Sequence, residues 1–152
     1  MPLLLAFDAS WCGQTRLGGW AVVGQARGGA AWTDSGFLGR CADPTAAEAR
    51  ALAEALRLIE EQEDAVQAAV LLTDCRSLLD LVARAEPRPR IPDSDRILAA
   101  FDRRPGIHLA YLHRRCRRMR LAHHLANVRR LEAELSAHRP RRQSRPQESQ
   151  PC

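Results

Sequence analysis

The chain has 152 residues, enough for one domain with a real core, and no apolar run approaches the length of a membrane span. Hydrophobic residues make up 45% and aromatics only 5%, so the core must be built mostly from Leu, Ala and Val. All 23 basic residues are arginine: residues 1–83 carry 6 against 11 acids, residues 84–152 carry 17 against 7, and this asymmetry points to an anionic partner for the second half, nucleic acid first.

"LLLAFDAS" (3–10) reads as a buried strand that carries a carboxylate, Asp8, inside it. A turn region follows, then a second strand at 20–25 and a third at 30–39; the short connections make an antiparallel meander. A helix starts near Thr45, after Pro44, with Thr45-x-x-Glu48 as a capping signature, and Leu52, Ala55, Leu56 and Ile59 share its apolar face. "AAVLLTDC" (68–75) suits a buried strand with Asp74 at its end, and a short helix is expected over 76–85. Prolines at 87, 89 and 92 forbid helix in 86–92; a third helix begins there with Asp93 or Ser94 as its cap. The last strand is expected over 107–113, followed by "RRCRRMR" and a final helix from about Leu121 to Ala137 with Leu121, Leu125, Val128, Leu131 and Leu135 on its apolar face. Residues 1–137 form the domain, and 138–152 read as a disordered basic tail.

The order β-β-β-α-β-α-α-β-α implies an α/β fold: a mixed five-stranded sheet, three strands antiparallel and the rest in parallel β-α-β units, flanked by helices. Five cysteines, an odd number without Cys-x-x-Cys spacing, argue for reduced thiols. "MPLLLAF" has no basic n-region, so a cytoplasmic protein is expected.

Asp8 is costly to bury unless something compensates it. Asp74 ends a central strand, where α/β sheets commonly build sites. At about 100° per residue, Glu48 lies within about 40° of Leu52, Ala55 and Ile59, so it faces the sheet. Taken alone, Glu48 reads as the capping-box partner of Thr45; its inward direction and the company of Asp8 and Asp74 favour a shared site. Three carboxylates aimed at one place repel unless a cation neutralises them, and such hard oxygen donors suit Mg²⁺ or Mn²⁺.

"AFDAS…GGWAVV", "TAAEARALAEALRLI", "VLLTDCRSLLDLV" and "HRRCRRMRLAHHLA", in this order and spacing, resemble the type 1 ribonuclease H family. The resemblance covers residue 3 to about 130 and implies a ribonuclease H-like fold whose acids map onto Asp8, Glu48 and Asp74. The family's fourth acid, in an Ala-Asp-x-Leu-Ala run, is replaced here by His123 of Ala122-His123-His124-Leu125-Ala126. Met119 stands where the family usually has Asn, and Thr45 is all that remains of a Thr and Asn before the helix glutamate. His113, ten residues ahead of His123, matches a mobile histidine of the family.

The resemblance implies hydrolysis of the RNA strand of an RNA–DNA hybrid with two divalent ions, one activating water and one stabilising the leaving oxygen. Asp8 would bridge the ions, Glu48 and Asp74 would complete the two sites, and His123 would assist on the Asp74 side. His123 favours Mn²⁺ over Mg²⁺, since imidazole is neutral and softer than carboxylate. Substrate contacts are expected from Ser10, Gln14, Thr45, His113, Arg114, Arg115 and Arg117, through 2′-hydroxyls and phosphates. A monomer without membrane association is expected. A junction resolvase or other nuclease on the same fold, and a non-catalytic hybrid-binding module, are the alternatives.

Overall fold

The computed structural model describes residues 2–26, 28–62 and 66–138. Its elements run β1 (Leu3–Trp11), β2 (Leu17–Gln25), β3 (Trp32–Arg40), α1 (Pro44–Glu61), β4 (Ala69–Thr73), α2 (Arg76–Val82), α3 (Ser94–Arg103), β5 (Ile107–Tyr111) and α4 (Arg117–Ala137). The sheet order is β3-β2-β1-β4-β5, with β1–β2 and β2–β3 antiparallel and β1–β4 and β4–β5 parallel, as the sequence implies. Among the described residues no helix is long and apolar enough to cross a membrane. The tail from 138 onward lies outside the described residues except for His138, which closes α4.

Side-chain alternation along β1 gives the sheet two unlike faces. Leu3, Leu5, Phe7 and Ala9 join Trp20, Val22 and Leu38 on one face, in a single core cluster with Ala47, Leu52, Ala55, Leu56 and Ile59 of α1 and with Leu78 and Leu81 of α2. Ala6, Asp8 and Ser10 point the other way, towards α4, whose inner residues Met119, Ala122 and Ala126 are buried. Gly19 of β2 lies under this helix: a Cβ there would stand 2.3 Å from the Ala126 carbonyl oxygen and 2.7 Å from the Arg130 nitrogen. Only small residues on both sides permit so close an approach.

That contact overturns the expected face of α4. Leu121, Leu131 and Leu135 are exposed, and the residues against the sheet are those the apolar pattern placed on the far side. The helix also begins four residues early, so Arg117, Arg118, Met119 and Arg120 belong to its first turn. Other boundaries shift locally. β2 starts at Leu17, whose carbonyl accepts the Cys12 N–H and closes the hairpin. α2 stops at Val82, three residues short of expectation.

The Thr45 capping box does not form. Asp43 is the N-cap, its carboxylate accepting the Ala46 N–H at 2.7 Å, and Pro44 takes the first helical position, where its missing N–H costs nothing. Glu48 is thereby left free of capping duty. At α3 the expected cap residue Asp93 precedes the helix in a left-handed conformation with φ 57° and makes no side-chain cap bond. Ser94 instead accepts a hydrogen bond from Arg88.

Candidate active site

β1 is nine residues long, but β4 pairs only with Leu3 to Ala6. Beyond Ala6 the β4 side of β1 is open, and the first turns of α1 fill the notch. Glu48 reaches it, with the Ala9 N–H near enough to favour its charged form. Thr73, at the end of β4 and fully buried, accepts the Cys75 N–H on its hydroxyl at 3.0 Å. This local bond turns the chain and sets Asp74 on the rim of the same notch. On the opposite face, α4 delivers His123, whose Nδ1 lies 2.7 Å from Asp8 Oδ2.

Asp8, Ala9, Glu48, Asp74, Met119 and His123 line one cleft of about 460 Å³, with Arg114 and Arg120 at its mouth. A cleft of similar size, about 430 Å³ between α1, α3 and β3, holds surface charge already paired in part, as Arg57 is with Glu54. Chemistry, not volume, distinguishes the first.

The carboxylates behave as a strained group. Burial, first of all, pushes the Asp8 carboxyl above its ordinary range; hydrogen bonds from Glu48 and His123 oppose the rise. Glu48 is pushed well above the usual carboxylate range, by burial and then by the charge of Asp8. Its Oε2 is sealed from solvent and has no hydrogen-bond partner among the described residues. An orphaned carboxylate oxygen beside two more acids is the donor chemistry of a hard divalent cation. The side chains are nonetheless turned onto one another. Asp8 lies against Glu48 and bonds His123, and no three His, Cys, Asp or Glu among the described residues are grouped as a ready-made metal cage. His123 stands against Asp8 and shares the cleft with Asp74. Its side chain is 67% exposed against 8% for Asp8, so a well-hydrated imidazole covers a buried acid.

The other expected contact residues divide. Gln14 is exposed at the β1–β2 turn, Thr45 is half-buried in the first turn of α1, and His113, Arg115 and Arg117 are exposed around the start of α4. His113 Nδ1 accepts the Arg115 N–H at 3.1 Å, which leaves Nε2 as its proton-bearing nitrogen in the neutral ring. Arg118 donates to the side-chain oxygen of Gln25 on β2. Arg120, the last of the arginine run that begins at Arg114, lines the cleft beside it.

Ser10 is buried, and its hydroxyl is committed. It donates to Asn127 Oδ1 at 3.1 Å and accepts from Arg130 Nε at 2.9 Å. Arg130 also bonds Asn127 at 2.7 Å and Glu134 at 2.8 Å, and Thr15 donates to Glu134 at 2.8 Å. The Thr15 hydroxyl, with Arg130, holds the Glu134 carboxyl below its ordinary value. This network, which pattern reading missed because it joins residues more than a hundred positions apart, clamps α4 to β1 and fixes the rotation that aims His123 at Asp8.

Residues 6–128 match the reverse-transcriptase-like family, and the chain belongs to it. Solved structures show the same fold in type 1 ribonucleases H. LC11-RNase H1, isolated from compost by a metagenomic approach, is 18% identical and aligns with a TM-score of 0.76 over 88% of this chain and 98% of its own. The same enzyme in complex with RNA/DNA hybrid aligns at 0.72, also 18% identical, over 87% and 99%. The N-terminal RNase H domain of rv2228c from Mycobacterium tuberculosis is 20% identical, with a TM-score of 0.71 over 90% and 98%. No curated protein sequence matches the chain.

Proposed function

We propose that this protein is a cytoplasmic, divalent-cation-dependent endonuclease that hydrolyses the RNA strand of RNA–DNA hybrids. One observation carries the reading: Asp8, Glu48 and Asp74 converge with His123 in a single arginine-rimmed cleft on a ribonuclease H fold. A structural neighbour bound to RNA/DNA hybrid supports the substrate class.

Asp8, Glu48 and Asp74 would hold Mg²⁺ or Mn²⁺, with His123 beside Asp8. Bound ions would supply an activated water and stabilise the leaving oxygen. The chain's own contribution is to bury the acids so that they bind a cation rather than water, and to keep the phosphate in place. Arg114 and Arg120 face the incoming phosphate, and Arg115 and Arg117 extend the basic surface along the strand. Backbone groups within residues 9–14 and near Glu48 would read 2′-hydroxyls, with Gln14 and Thr45 alongside. His113, exposed just ahead of α4 and with its Nε2 free, would serve proton movement.

The bond between His123 and Asp8 favours a second reading, a hybrid-binding module without catalysis. One assay separates the two. Labelled RNA–DNA hybrid, double-stranded RNA and double-stranded DNA are incubated with Mg²⁺ or Mn²⁺. The nuclease reading expects cleavage of the hybrid's RNA strand, faster with Mn²⁺. Asp8→Asn should lower the rate by about 10³-fold or more, roughly 4 kcal/mol of barrier, with hybrid binding retained. Binding without cleavage under either ion would establish the module.

A further inference from the structure

α4 has two long faces, and the sheet uses only one. Leu121, Leu131 and Leu135 are 41%, 43% and 70% exposed, and Leu125 and Val128 are half-buried between them. At about 100° per residue, Leu121, Val128, Leu131 and Leu135 fall within about 40° of the direction opposite Ala126, which lies on the sheet. The face runs from Leu121 to Leu135, about 21 Å at the helical rise. A monomeric domain rarely leaves a stripe of large aliphatic side chains in water along a whole helix. Nothing in the folding of this domain requires it, because the sheet-facing side is filled by Met119, Ala122 and Ala126.

The order of residues on the stripe indicates the occupant. It reads nearly the same in both directions about Val128. Leu121 and Leu135 stand seven residues to either side, and Leu125 and Leu131 stand three to either side. His124 and Glu132 stand four to either side. A two-fold interface has this property: a residue that meets a second on the partner is met by the same pair in return. Two antiparallel copies of α4 crossing at Val128 place Leu121 of each against Leu135 of the other. At the level of Leu131 and Glu132 stand Leu125 and His124 of the second copy, which brings a basic ring beside an acid. A parallel pair would instead stack Glu132 on Glu132, which like charges disfavour.

We propose that the outer face of α4 is a self-association surface, and that a second copy of this chain docks on it antiparallel, with Val128 on the two-fold axis. This replaces the sequence-based expectation of a monomer. The arrangement leaves both clefts open, because His123 and the carboxylates lie on the sheet side of the helix. It sends the two arginine-rich N-terminal ends of α4 to opposite ends of the dimer. One helix face is a small interface, below the area of a standard complex, so the dissociation constant is expected in about the micromolar range.

The test is sedimentation velocity on the full chain, freed of nucleic acid and held at about 0.15 M salt, where long-range repulsion is screened but a contact ion pair persists. Between about 1 and 300 µM, wild type should pass from one chain mass to two. Val128→Glu and Leu135→Glu should each weaken the dimer tenfold or more, while hybrid cleavage per chain stays within about twofold, since neither residue touches the cleft. Leu121→Glu alone should also be monomeric. Adding Leu135→Arg to it should restore the dimer, because the introduced carboxylate of one copy would then meet the introduced guanidinium of the other. A wild type that remains monomeric throughout, or dimerises undiminished as Leu135→Glu, overturns the proposal. Failure of the paired charge change to restore association overturns the antiparallel register on which it rests.

Discussion

The two faces of the sheet are built on opposite rules. On the α1 face, Leu3, Leu5 and Phe7 meet Leu52, Leu56 and Ile59, and the interior is large, aliphatic and dry. On the α4 face, Ala6, Gly19 and Ala21 meet Ala122 and Ala126, and the space beside them goes to polar side chains: Asp8 with His123, and Ser10 with Asn127 and Arg130. The first face supplies burial energy. The second gives some of that up for close approach and for a place where acids can be held half out of water. Glu48 belongs to the helix of the first face but acts at the site of the second, because it reaches the open edge of β1 where β4 has ended.

The sharpest test of this division compares one substitution from each face. Leu52→Ala, in the fully buried α1 core, should cost about 2–5 kcal/mol by denaturant unfolding, with cleavage per folded molecule unchanged. Gly19→Ala should cost less, about 1–3 kcal/mol, because its methyl collides with the backbone of α4. It should nevertheless reduce cleavage more than Leu52→Ala does, since α4 must move and carry His123 away from Asp8. Equal activity in the two folded variants would break the comparison.

The histidine pair offers the next contrast. His123→Ala should lower the cleavage rate by roughly 10- to 100-fold, or about 1.4–2.8 kcal/mol. His124→Ala, on the outward side, should change it by less than about twofold. His123→Asp should retain activity and move the preference from Mn²⁺ towards Mg²⁺. The reverse ranking of the two alanine variants would mean that α4 is rotated from the orientation described.

Stability against pH probes the cost of holding the acids. Glu48 is raised above its ordinary 4.5 and Asp8 above 3.8, so the folded protein keeps protons at pH values where the unfolded chain has lost them. Their contribution to stability is therefore present at low pH and lost as pH rises from the ordinary carboxylate values through the raised ones, opposite in sign to a paired surface acid. Glu48→Gln should stabilise the protein at neutral pH by about 1–3 kcal/mol and leave it unchanged near pH 3. Thermal melts without added metal across this range would show it. Added Mg²⁺ or Mn²⁺ should stabilise wild type and narrow the difference.

The smallest effect is expected at the rim. Arg114→Ala with Arg120→Ala should flatten the salt dependence of hybrid binding by about one to two slope units, affecting all sequences alike. An unchanged slope would remove both from the phosphate contacts.

Much of this architecture was legible in the chain itself. The alternation and apolar runs marked all five strands, and turn residues separated them. The direction of Glu48 followed from helical periodicity, the placement of Asp8 from its position in a buried strand, and that of Asp74 from the end of another. Those signals are local, repeating every two or 3.6 residues, and so survive in one dimension. The face of α4 was not legible. Five aliphatic residues at helical spacing read as a core stripe, yet Leu121, Leu131 and Leu135 are exposed and Leu125 and Val128 only half-buried, because Gly19 brings the strand so near that only Ala122 and Ala126 fit beneath the helix. Nor could the sequence couple Ser10 to Asn127 and Arg130, or set His123 on Asp8. Which residues a helix buries depends on the surface it meets as well as on its own pattern, and that surface exists only once distant strands have paired.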